Sequence, residues 1–243
     1  MKTTKVLAVL ATVLVTGFTL SAQDEATCPL APEYTFNGLS AGLWHADLAG
    51  LNDALADAGY APLPAAVLTY GQESTFGDLA GLRIGFHATY GAADSVAAER
   101  RAEFAFTLFG GSAEWAAPRG EGASISFGLS LGTGISVLRL VDHRPATFED
   151  ALSVPFRAQL DRWLYTAEPA IASESKPFGW LDLKLRLGYL FAFGRCWTIE
   201  GERLDPSPAL FGGPIARVSF AIDVDKLFPE PLDDETSSEV SPG

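Results

Sequence analysis

Few residues in this chain of 243 are of types and spacings that could do chemistry. Gly38-Leu39-Ser40-Ala41-Gly42 and Gly128-Leu129-Ser130-Leu131-Gly132 both match the G-x-S-x-G pattern of serine hydrolases, whose serine must sit on a sharp strand-to-helix turn. Both copies lie inside alternating segments, where glycine, serine and glycine two apart line one face of a strand. The nucleophile reading fails on that context. His45, His87 and His143 are far apart in sequence, and with two cysteines they offer no metal-ligand spacing, so neither a metal nor a cofactor is expected. Cys28 and Cys196 are the candidates for one disulfide in an exported chain. The most suggestive polar set is Arg83, His87, Glu103, Asp182, Lys184, Arg186, Arg217 and Asp223, charged or titratable residues on the polar faces of alternating segments.

Alternation with period two is the signature of a sheet with one apolar face. Leu181, Leu183, Leu185, Leu187, Tyr189, Phe191 and Phe193 form the longest such row, opposite Asp182, Lys184, Arg186 and Gly188. Similar rows run from Leu82 to Tyr90, from Ile125 to Val137 and from Ala216 to Val224. Shorter candidates are Leu39-Ala41-Leu43, Leu68-Tyr70, Phe104-Phe106-Leu108 and a segment around Val137 to Val141. Together they predict an antiparallel closed β-barrel of about eight strands, since bacterial barrels take even strand numbers from 8 upward.

Which face is wet follows from the polar rows. A soluble barrel would fill them with lysine, glutamate and threonine. Here glycine, serine and alanine dominate with a few charges of both signs, which suits the inside of a narrow barrel. The rows of leucine, isoleucine, phenylalanine and tyrosine then face lipid, and a closed barrel leaves no backbone unpaired in hydrocarbon. Trp44, Tyr90, Trp115, Trp180 and Trp197 near strand ends suit an interfacial girdle. Only 19% of the residues are charged, and the net charge is −13. That balance repels phosphate backbones and excludes nucleic acid as a partner.

Lys2 and Lys5, an apolar run from Val6 to Leu20 and the small residues Ser21-Ala22 read as a secretory signal peptide. The domain reading is a signal peptide over 1–22, a lead segment over 23–33, the barrel over 34–228 and a disordered acidic tail over 229–243. Two short helices are expected in connections. One follows Asp47, with Leu48, Leu51 and Leu55 on one stripe and its end at Gly59. The other starts at Thr147 and carries Phe148, Leu152, Phe156, Leu160 and Trp163 at near-helical spacing.

The segments Leu51-Asn52-Asp53-Ala54-Leu55 to Ala58-Gly59-Tyr60-Ala61-Pro62-Leu63, Leu185-Arg186-Leu187-Gly188-Tyr189-Leu190-Phe191-Ala192, Trp197 and Gly212-Gly213-Pro214 give the chain a family likeness. It resembles an uncharacterised family of exported bacterial proteins treated as outer-membrane-type β-barrels. The resemblance implies a barrel over most of the mature chain and brings no catalytic residues with it. The leading expectation is a monomeric outer-membrane barrel with a structural or surface-interaction role, in contact with outer-membrane lipid. Three alternatives stay open: a small-solute channel or barrel for an unidentified small polar ligand, an enzyme modifying envelope lipid, and a soluble exported barrel of the periplasm or medium.

Overall fold

A computed structural model describes residues 34–98, 100–120, 122–142, 157–194, 196–204 and 211–223. The expected signal peptide, lead segment and acidic tail lie outside these residues, as do Cys28, His143 and the start of the second expected helix. The strands are β1 Tyr34–His45, β2 Ala66–Gly77, β3 Gly81–Ala97, β4 Arg100–Pro118, β5 Ala123–Val141, β6 Arg157–Phe178 and β7 Leu181–Gly194, with a final strand β10 Phe211–Ile222. A two-residue hairpin, β8 Thr198–Ile199 and β9 Glu202–Arg203, precedes β10, and one helix, α1 Ala49–Asp57, joins β1 to β2.

Every neighbouring pair is antiparallel, and pairing of β1 with β10 and of β5 with β6 leaves no gap in the ring of eight. The register from Tyr34 passes through Gly77, Arg83, Glu114, Gly128, Ala170, Gly188 and Ile215 and returns to β1 at Trp44, ten residues further on. A stagger of that size over eight strands tilts them by about 40° and sets a radius of about 8 Å, just wide enough for side chains to fill.

The two ends differ. Three tight turns, at residues 78–80, 119–122 and 179–180, close the end at which β1 starts and β10 finishes. The other end carries the longer connections, including α1 and the β8–β9 hairpin. There β3 to β6 overrun their neighbours: β2 pairs with β3 no further than Ala92, although β3 continues to Ala97. The result is a tall wall over about half the circumference. Its inner side is packed by α1 and the segment after it, where Leu48, Leu51, Leu55 and Leu63 join Trp44, Val67, Phe104, Leu138, Trp197 and Phe211 in one buried cluster. Asn52 pins this cap, its side-chain amide donating to the Leu63 carbonyl at 3.1 Å and its oxygen accepting from the Leu63 amide at 2.8 Å. Arg100 of the wall donates to Ala58 at the end of α1.

The strand count was expected, but one strand was not. β6 occupies Arg157–Phe178, and from Arg157 onward the second expected helix is this strand. The near-helical spacing of Phe156, Leu160 and Trp163 imitated a helix because Leu160 faces the apolar cap and Trp163 the outside, so large apolar residues fall on both faces of β6 there. The segment Val137 to Val141 is no separate strand but the end of β5. β6 and β7 keep one register yet pair at Ala167–Phe191 and next at Ala170–Gly188. Two positions are skipped, Glu168 opposite Leu190 and Pro169 opposite Tyr189, and Pro169 has no N–H to give. On its other side Tyr189 meets Pro214 of β10.

The apolar rows point outward, as with Leu39, Leu43, Leu82, Phe86, Leu131, Leu187 and Val218, all well exposed. From Leu183 to Phe193 this surface rises about 25 Å at the estimated tilt. Tyr70, Tyr165 and Tyr189 lie in its loop-end half and Trp115 near the turn end, as a girdle requires. Trp44 and Trp197 do not belong to it, because both are buried in the cap cluster. Phe104, Phe106 and Leu108 are also turned inward, where they fill the loop-end half of the barrel.

Candidate functional site: the charged lumen

Below that apolar filling, toward the turn end, the lumen holds four cations and four carboxylates. Their placement follows from strand parity. Lys184 and Arg186 alternate with outward Leu185 and Leu187 on β7, Arg83 with Leu82 and Ile84 on β3, and Arg217 with Ala216 and Val218 on β10. Glu73, Glu114, Glu168 and Glu174 come from β2, β4 and β6 by the same alternation.

Lys184 is fully buried and sits among three carboxylates, 2.7 Å from Glu73, 3.0 Å from Glu114 and 3.4 Å from Glu174. Arg186 reaches Glu114 at 2.5 Å and Glu168 at 3.0 Å, and donates to Ser130 at 2.6 Å. Arg217 pairs with Glu168, and Arg83 with Glu174 at 2.5 Å. Hydroxyls occupy remaining lone pairs: Ser124 donates to Glu174, Ser126 to Glu114 and Ser219 to Glu73. Arg83 also donates to the carbonyls of Asp78 and Leu79 in the first tight turn and lies over the Tyr34 ring, 3.7 Å from its centre. Glycines make the room. A Cβ on Gly128 would stand 2.6 Å from the Glu114 Cγ, so the carboxylate stem occupies the space of a missing side chain.

A buried charge is tolerable only when paired and hydrogen-bonded, because its lost hydration otherwise costs several kcal/mol. Four against four, with hydroxyls around them, meets that condition. The set ties together β2, β3, β4, β6, β7 and β10, strands far apart around the ring. Between it and the apolar filling lies a cavity of about 10 Å³, room for one water, bordered by His87, Thr89, Ser130, Glu168, Leu190 and Arg217. The described side chains leave no space there for a solute.

Of the residues singled out from sequence, Arg83, His87, Lys184, Arg186 and Arg217 are in the lumen. Glu103 is not. It alternates with buried Ala102 and Phe104, so it lies on the outer face of the tall wall, where Arg101 pairs with it at 3.1 Å. Asp182 sits at the turn-end rim, 3.1 Å from Lys176, away from the central cluster. Asp223 follows β10 at the same rim, its backbone amide bonded to the Trp180 carbonyl. The four glutamates that do balance the lumen escaped the sequence reading. Parity was the signal for Glu114, two positions from Ser112 and opposite in phase to Trp115; Glu73 lay beyond the expected Leu68-Tyr70 segment, and Glu168 and Glu174 in the unexpected strand. Ser40 and Ser130 are buried in mid-strand and have no nucleophile elbow. Cys196 accepts a hydrogen bond from Arg203 at 3.0 Å near the loop end. Among the described residues no group of three or more His, Cys, Asp and Glu could hold a metal ion.

No family model matches the chain, and no curated protein does. Among solved structures it is similar to Neisserial surface protein A (NspA), with 11% identity over 78% of this chain and 99% of that one, at a TM-score of 0.42. It is similar too to Ail, the attachment invasion locus protein of Yersinia pestis, with 10% identity over 79% of this chain and 99% of the other, at a TM-score of 0.38.

Proposed function

We propose that this protein is a bacterial outer-membrane barrel that stands in the bilayer as a structural or surface-presenting element and performs no catalytic step. The observation that carries the reading is the outer surface: a closed ring of eight strands whose outward side chains are predominantly apolar over about 25 Å, the height of the hydrophobic band of such barrels, with Asn37, Gln72 and Ser74 on β1 and β2 as polar exceptions. The short turns fit the inner side of an outer membrane, and the cap and tall wall the outer side. Asp94, Arg101, Glu103, Arg139 and Asp161 on the outside of the wall begin above the apolar rows, where headgroups and water would meet them. A channel is the weaker reading, since charge pairs fill the turn-end half of the lumen and aromatic and aliphatic side chains the other half.

The test uses Val218→Cys and Ser219→Cys in the full chain. The former is outward and the latter buried inward on the same strand. A maleimide dissolved in the bilayer is expected to label position 218 and leave 219 unreacted. A mature protein that stays monomeric in detergent-free buffer overturns the membrane reading.

A further inference from the structure

Three segments singled out in the sequence meet at one place outside the lumen. The start of the α1 segment, Tyr189 of β7 and Gly212-Gly213-Pro214 of β10 border an open notch of about 380 Å³, together with His45, Ala46, Asp47, Asn52 and Ala65. That volume is within the range of small-molecule sites. The notch exists because the wall is low here: the β1–β10 ladder ends at Trp44–Ile215. Gly213 has φ +155°, and a Cβ on it would overlap the His45 carbonyl oxygen, so no larger residue could form this floor. The Asp47 amide donates to the Gly212 carbonyl at 2.7 Å and fixes the upper lip.

We propose that this notch binds the sugar headgroup of a glycolipid. The proposal rests on the membrane reading above. Tyr189 and Pro214 belong to the outward apolar face, so the notch opens at the loop-end margin of the lipid-facing band, where headgroups sit. Its polar groups are mixed: the Asp47 carboxylate accepts, the His45 imidazole and Tyr189 hydroxyl donate or accept, and the Tyr189 ring offers a face. Hydroxyl-rich rings need that mixture. A phosphate headgroup is disfavoured, because among the described residues no lysine or arginine borders the notch and Asp47 would repel it. Below it, Ala216 of β10 stands between the larger outward side chains of Leu43 on β1 and Leu187 on β7 and leaves a shallow gap where an acyl chain can begin.

The experiment titrates the full mature chain, refolded in zwitterionic dodecylphosphocholine micelles, with decyl maltoside and follows the backbone amides of Gly212 and Gly213 and the Trp44 indole by NMR. Saturable shifts are expected with decyl maltoside and not with free maltose at equal concentration. Asp47→Ala and Tyr189→Leu, both at exposed positions, should each weaken binding about tenfold, and Asp182→Ala at the opposite rim should not. Equal shifts from a decyl chain with an amine oxide head, saturation by free maltose, or unchanged affinity in both variants overturn the proposal. A chain that needs no detergent fails the membrane reading instead, and that is seen before any titration.

Discussion

Lys184 is where the account of the lumen is most exposed to test. Replacing it by Met keeps the stem volume and removes the one cation shared by Glu73, Glu114 and Glu174, so three cations face four carboxylates. Breaking a buried pair by removing one partner costs about 3–5 kcal/mol, because the other charge is left uncompensated. For Lys184 the upper part of that range is expected, since its ammonium has no exposure to solvent and three acids lose it together. Adding Glu114→Gln to Lys184→Met restores the balance at three against three. Arg186 then keeps Glu168 at 3.0 Å and Glu73 at 3.6 Å, and the double variant should recover about 1–3 kcal/mol of the loss, a coupling typical of residues in one network. Denaturant unfolding of the barrel in vesicles, followed by tryptophan fluorescence and by its gel mobility without heating, measures all four corners of the cycle. A loss below about 1 kcal/mol for Lys184→Met, or a double variant no better than the single one, would refute the idea that charge balance inside the ring holds these strands together.

Four further outcomes follow from the structure. Asn52→Leu removes both bonds to Leu63 and should loosen the cap by about 1–3 kcal/mol, read as faster amide exchange over residues 60–65 with the barrel strands unchanged. Planar-bilayer recordings of the purified protein should show no steady conductance, and a stable ohmic current would mean that the cap and charge set move aside. Glu103→Gln on the outer wall should shift stability by less than about 1 kcal/mol, because its pair with Arg101 is solvent-screened, whereas Glu114→Gln should cost several times more. Mass spectrometry of the mature chain should find no intrachain bond between Cys28 and Cys196. Six residues from Cys28 to Tyr34 span at most about 21 Å, while β7 alone climbs about 33 Å from the turn end toward Cys196; finding the bond refutes this estimate.

The barrel was legible wherever a strand had one greasy and one small or polar face, as in β3, β5, β7 and β10. It was illegible where both faces are apolar. The loop-end half of the lumen is hydrophobic, so on β4 the row Phe104, Phe106 and Leu108 was read as a strand with its faces exchanged, while β6 near Leu164 has apolar residues on both faces and passed for a helix. The same asymmetry divides the site. The cations stood out because each interrupts a run of leucine or glycine in a regular strand. Their acid partners lie beside Gly71, Gly110-Gly111 and Pro169, where glycine and proline read as breaks, and the acids chosen in their place, Glu103, Asp182 and Asp223, lie on the outer wall or at the rim. A closed interior whose turn-end half fixes four cations demands an equal number of anions beside them, and that requirement, applied before looking for patterns, would have sent the search to Glu73, Glu114, Glu168 and Glu174.

The prolines on either side of Tyr189 have a kinetic consequence. The other seams of the ring run as unbroken ladders through their paired lengths, whereas the β6–β7 seam shifts register near its turn and is interrupted again in the half nearer the loops. The β1–β10 seam is the shortest, with six paired positions, but it is continuous, whereas the β6–β7 ladder is already open between Ala167 and Ala170. Breathing along the β6–β7 seam should therefore be concentrated between Ala167 and Ala170, beside Glu168 and Leu190 and the small cavity behind them. Water or protons exchanging with the charged interior have their shortest route there, through the side of the ring rather than its mouth.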